Sequence, residues 1–103
     1  MYGLIVKLAA QPGQRDVVIS HLVRCATGMP GCFSYIVAKD PVDENAIWAT
    51  EVWDSERSHD ASFSLPAVQE SIRVVRPLVM GIESQVITTP VGGHGLPQDV
   101  QLK

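Results

Sequence analysis

"AIWATEVWDSERSHDASFSLP" spans Ala46–Pro66, and its first eight residues decide the fold. Along a β-strand, successive side chains point to opposite faces. One face of Ala46–Trp53 then carries Ile47, Ala49, Glu51 and Trp53, and the other carries Ala46, Trp48, Thr50 and Val52. Both faces hold a tryptophan. A sheet with helices on one side alternates apolar-in and polar-out. A strand that is apolar on both sides therefore implies a cover on each. The alternation stops at Trp53, and "DSERSHDASFS" opens a helix. Asp54 or Ser55 can cap its exposed amides, and Glu56 adds negative charge near its first turn. Pro66 interrupts it.

Outward from this stretch, the chain reads as strands and helices in turn. "YGLIVKLAA" (Tyr2–Ala10) is β-rich, and "QPG" (Gln11–Gly13) breaks it. "QRDVVISHLVRCATGMPG" reads as a helix with Val18, Leu22 and Ala26 on one face and Ile19 and Val23 beside them. "GMPG" (Gly28–Gly31) stops it. "CFSYIVAKD" (Cys32–Asp40) is a second strand, with Phe33, Tyr35 and Val37 opposed to Ser34, Ile36 and Ala38, and "PVDEN" is a polar turn. After Pro66, Ala67–Val79 continues as a helical piece with Val68, Ile72 and Val75 on one face. Gly81 marks its end, and Ile82–Pro90 is a fourth strand. The order is β-α-β-β-α-β, a ferredoxin-like α+β sandwich with both helices on one face of a four-stranded antiparallel sheet. One domain over residues 1–90 is expected, followed by a loose or partner-contacting tail over 91–103. The second sheet face is expected to meet another copy of itself, giving a homodimer with a closed barrel.

The bulk composition narrows the function. The chain has 103 residues, 46% hydrophobic and 18% charged, with a formal net charge of -3. Those figures describe one small globular domain. The eight Lys and Arg residues are scattered, so there is no basic stripe for nucleic acid. No apolar run approaches the ~20 residues of a membrane span. The N-terminus opens directly on a strand pattern and lacks the basic start of a signal peptide. A cytoplasmic location and free thiols at Cys25 and Cys32 are the expectation. His21, His59 and His94 fall on separate elements without ligand spacing, so no metal site is expected.

With the elements in place, the chain resembles the antibiotic biosynthesis monooxygenase family of the dimeric α+β barrel superfamily. The resemblance rests on "QPG" after the first strand, "MPGCFSY" at the second and "EVWDSE" closing the third, and it covers about Tyr2 to Thr89. It implies homodimers whose sheets pack face to face. It also implies oxidation of phenols, anthrones or quinols by O2 without flavin, haem or metal, so no cofactor is expected. Members of the family often carry a histidine nine residues after the Trp equivalent. That position is Ser62, and His59 lies three residues before it, close to one helical turn away. His59 is then either a substitute base or an aromatic filler against Trp53. The haem-degrading members need an Asn, a Trp and an iron-ligating His where this chain has Val6, Ser62 and Ile72, which disfavours haem chemistry.

Cofactor-free oxygenation requires a proton acceptor, a group that holds the resulting anion and a dry pocket. His59 and Glu51 are the candidate bases, with Ser62, Arg73 or Arg76 to hold charge. Trp53, Trp48, Tyr35 and Phe63 are candidate walls for a small apolar or aromatic ligand. A buried carboxylate must be paired or protonated, so Glu51 is either the structural partner of an arginine or a tuned base. The expected activity is a cofactor-independent monooxygenase acting on a small anthrone- or quinol-like compound. A non-catalytic ligand-binding or assembly protein on the same barrel is the alternative that the displaced histidine leaves open.

Overall fold

The computed structural model describes residues 1–97. Its elements are β1 (Tyr2–Ala10), α1 (Arg15–Cys25), β2 (Cys32–Lys39), β3 (Ala46–Trp53), α2 (Glu56–Ser62), α3 (Pro66–Val75) and β4 (Val79–Thr88), with a 3-10 turn at Arg76–Leu78. The strands form one antiparallel sheet in the order β2-β3-β1-β4. This is the expected βαββαβ ferredoxin-like sandwich.

Register fixes which residues share a face. Trp53, Glu51, Ala49 and Ile47 lie opposite Tyr2, Leu4, Val6 and Leu8 of β1. Tyr35 and Val37 of β2 fall beside Glu51 and Ala49. On this face Ile47 and Ala10 pack with Val18 of α1 and Val75 of α3. Trp53 packs with Met29 and Val68. The helices therefore cover the face that carries Glu51 and Trp53. The other face carries Ile5, Trp48, Thr50, Val52, Ile36 and Val86, and no helix among the described residues lies over it.

Three boundaries differ from the sequence reading. Helix α1 ends at Cys25 rather than running to the Gly28–Gly31 turn, and Val23 is 53% exposed rather than beside the buried stripe. Helix α3 ends at Val75 because Pro77 lacks an amide proton and its ring crowds the preceding turn. Strand β4 accordingly starts at Val79, three residues earlier than expected, and Gly81 lies inside it. Ala9 pairs with Gly81 and Ala10 with Val79, so Met80 is an extra residue at a register shift. Of the tail expected over residues 91–103, residues 98–103 lie outside the described residues. No helix among the described residues is long and apolar enough to cross a membrane.

The start of α2 is fixed from two sides. Ser55 is its N-cap, and its hydroxyl accepts from the Ser58 amide at 3.1 Å. Beneath it, the Gly31 carbonyl accepts from the Asp54 amide at 2.8 Å. Gly31 has φ +81°, and a Cβ there would stand 2.6 Å from the Ser58 side chain and 2.8 Å from Asp54 Oδ1. Gly28 has a similar φ of +76° but open space around it. Gly31→Ala is therefore expected to lose about 3 kcal/mol, a left-handed backbone cost plus overpacking. Gly28→Ala is expected to lose about 1 kcal/mol, the backbone cost alone. Urea denaturation of the two variants checks the difference. Equal losses would show that Gly31 does not seat α2.

Candidate active site

The site grows from one pair on β3. Trp53 is 1% exposed, so its indole N–H needs an internal acceptor. Glu51, two residues earlier on the same face, supplies it: Nε1 donates to Oε1 at 2.9 Å. Glu51 is itself 7% exposed and, among the described residues, makes no ion pair with an arginine. Of the two roles open to it, the structure removes pairing with an arginine. Burial pushes the Glu51 carboxyl above its ordinary range, against the smaller opposing effects of the Trp53 hydrogen bond and the nearby His59.

His59 approaches from α2. Its ring stands edge-on to Trp53 at 5.5 Å and to Phe63 at 5.3 Å, and tilted to Tyr2 at 5.5 Å. Nδ1 lies 3.1 Å from Asp60 Oδ1. Nε2 has no hydrogen-bond partner among the described residues, which leaves it for a ligand. His59 is thus packed among aromatics and also lines the cavity described below, so filler and base are compatible roles. Ser62 is buried, and its hydroxyl donates to the His59 carbonyl one turn back, at 2.6 Å. Its proton is committed to the helix, while its oxygen can still accept.

These groups sit at one end of a cavity of about 520 Å³ between the sheet and α2–α3, within the size range of small-molecule sites. Its floor is Leu4, Val6, Leu8 and Ala49. Tyr35, Glu51, His59 and Phe63 form one end, and Ile72, Val75, Val79 and Ile82 flank the rest, with Arg76 and Gln85 also on the wall. A smaller chamber of about 120 Å³ lies deeper, bounded by Met29, Trp53, Ser62, Ser71 and Cys25. Glu51, His59, Tyr35 and Phe63 border both spaces. Burial, and secondarily the Glu51 charge, keeps the Tyr35 hydroxyl protonated well past its usual range, so its O–H is available to donate.

Two residues expected at the site lie elsewhere. Trp48 points to the other sheet face, because β3 alternates and the odd-numbered positions took the helix side. There its Nε1 donates to Asp40 Oδ2 at 2.9 Å, and Lys7 Nζ sits 5.5 Å from the ring centre. Arg73 faces away on α3 and is held by Glu70 through contacts of 3.0 and 2.6 Å. Sequence reasoning missed Ser71, although its place beside the Val68–Ile72–Val75 stripe marks a polar residue near an apolar face. Gln85 carries no such signal, because β4 shows no clean alternation. Among the described residues no cluster of three or more His, Cys, Asp or Glu side chains could hold a metal. Cys25 and Cys32 are both free.

The raised Glu51 pKa has a signed consequence for stability. Between the ordinary carboxylate range and that raised pKa, the folded chain holds a proton that the unfolded chain releases. Glu51 therefore costs stability as pH rises through this window. Glu51→Gln keeps an acceptor for the Trp53 indole and removes the buried charge. Its Tm is expected to exceed that of the unaltered protein at pH 7, with the gap closing toward pH 4, as read by thermal unfolding across pH. A gap independent of pH would refute the assignment.

Comparison with known proteins gives a consistent result. The family model for antibiotic biosynthesis monooxygenase matches residues 1–74. A solved structure from Chloroflexus aurantiacus J-10-fl, assigned to that family, is 57% identical, with 93% of this chain and 98% of its own covered and a TM-score of 0.90. Structures from Deinococcus radiodurans (22% identity, 90% and 95% covered, TM-score 0.74) and Nitrosomonas europaea (12%, 89% and 100%, 0.78) share the fold. Among curated proteins none matches. On the family model and the 57% identity together, this chain belongs to the antibiotic biosynthesis monooxygenase family.

Proposed function

We propose that the protein is a cofactor-independent monooxygenase that oxidises a small anthrone- or quinol-like compound with O2. The observation that carries this reading is the buried Glu51 carboxylate, without an arginine partner among the described residues, at the end of an apolar cavity beside His59. A carboxylate with a raised pKa is a stronger base than an exposed one. It removes a proton from an activated methylene or phenol, and the resulting anion is held by the Tyr35 hydroxyl. The anion passes one electron to O2, and the two radicals join as a peroxide that takes back the proton. Loss of water, with the second C–H proton and the distal oxygen, then leaves a carbonyl. In sum, one methylene and one O2 give one ketone and one water. The apolar walls exclude bulk water from the anion.

A homodimer through the open sheet face belongs to the same reading. Ile36 and Val86 on that face are 56% and 49% exposed, and Trp48 lies between their strands. Light scattering should give about twice 11.2 kDa, and Ile36→Asp should shift the mass toward the monomer. A monomeric unaltered protein would end this part of the reading.

Oxygen uptake by chelator-treated protein, against a panel of anthrones and hydroquinones, tests the activity. Uptake without added cofactor is expected. Glu51→Gln should lower the rate by about 10²–10⁴-fold, the range for loss of a general base. The acid limb of kcat/KM should lie above pH 4.5, because Glu51 must be ionised to act and its pKa is raised. His59→Phe retains the ring contacts and removes the nitrogens, so a lost rate there gives His59 a chemical role. Binding of the panel compounds with no uptake in any case would favour the non-catalytic ligand-binding alternative.

A further inference from the structure

The large cavity has polar groups at two separated places. Glu51, His59 and Tyr35 mark one end. Arg76 stands toward the other, and the wall between is aliphatic apart from Gln85. Sheet register gives the scale. Leu4 lies beside Glu51 on one side and Ile87 on the other, and Leu8 lies beside Ile82. Leu4 and Leu8 are four residues apart on one strand, about 13 Å. Arg76 follows Val75, which packs on Ala10 and Ile47, so the guanidinium belongs to the Leu8 end. Gln85 pairs with Val6 from β4, midway along.

Arg76 makes no ion pair among the described residues, in contrast to Arg73, which Glu70 holds one turn before it. Arg15 is likewise committed, to the backbone carbonyls of the β2–β3 turn. Arg76 is thus a solvent-exposed cation bordering an apolar cavity, with its planar fork of donors unspent toward any carboxylate among the described residues. An arginine fork suits a carboxylate in two-point contact. The distance to Glu51 means that the same ligand can place its acidic C–H or phenol at the base only if it is elongated.

We propose that the substrate is an elongated apolar compound carrying a carboxylate at the end remote from the oxidised carbon, and that Arg76 anchors that carboxylate. The inference rests on the proposed oxidation for the identity of the reacting end. The anchor itself does not depend on that chemistry. Arg76 is a specificity-determining residue: it selects and orients the ligand, and the proton transfer happens at the other end of the cavity.

Fluorescence titration with anthracene-2-carboxylate and with the uncharged anthracene-2-methanol tests it without turnover. The unaltered protein should bind the carboxylate at least about tenfold more tightly than the alcohol. Arg76→Gln should erase that preference by weakening the carboxylate about tenfold and leave the alcohol unchanged. Arg76→Lys, which keeps the charge and loses the fork, should fall between. Equal affinity for both probes in the unaltered protein, or equal loss of both in Arg76→Gln, overturns the anchor. A preference that depends on Arg76 in a protein that takes up no O2 would leave the anchor standing and sink the oxygenase. Uptake without the preference would do the reverse.

Discussion

One hydrogen bond organises the site: the Trp53 indole N–H to the Glu51 carboxylate. A fully buried indole without an acceptor costs about 1–3 kcal/mol, and β3 provides the acceptor from its own face, two residues away. The acceptor in this chain is a carboxylate, so a carboxylate sits under the helices. That position raises its pKa, the property that the proposed base requires. The same tryptophan meets His59 edge-on and packs on Val68 and Met29, so α2, α3 and the turn before β2 all take their places from it. The chemistry of Glu51 and the packing of Trp53 are two sides of one contact.

The division of the sheet into two unlike faces follows from the same strand. With Glu51 and Trp53 inward, Trp48 must point outward, where Asp40 and Lys7 hold it. Three donors fix the Asp40 carboxylate, with the Asp43 amide foremost and the Trp48 indole and Val42 amide beside it, and lower its pKa to about 2. Trp48 is therefore set rigidly on a face that no helix among the described residues covers. The cavity owes nothing to it.

Strand and helix order was legible because hydrophobic period and breakers agree along most of the chain. The break at Pro66 was equally plain, and the α2 cap was narrowed to Asp54 or Ser55, of which the structure takes Ser55. Where α3 ends was less so. The apolar stripe through Val68, Ile72 and Val75 runs on into Leu78 and Val79, and only Pro77 says that the helix stops. At the site, Glu51 stood out as an acid on an apolar strand face, but which face the helices take was not legible. That choice decides between Trp48 and Trp53 as walls, and it is a tertiary fact. Arg73 and Arg76 look alike in sequence. Only packing distinguishes the one tied to Glu70 from the one on the cavity wall.

Helix α2 has seven residues, too few to be stable by itself. Beyond the anchor at its start, it is held to the sheet by the His59 ring against Tyr2 and Trp53. An aromatic ring at position 59 is thus needed for architecture before any reaction is considered. A relative without the proposed oxidation would be under pressure to retain a ring there and under none to retain an acid at 51, since a glutamine satisfies the indole equally well. When relatives are sorted into active and retired copies, the informative letter is the one at position 51.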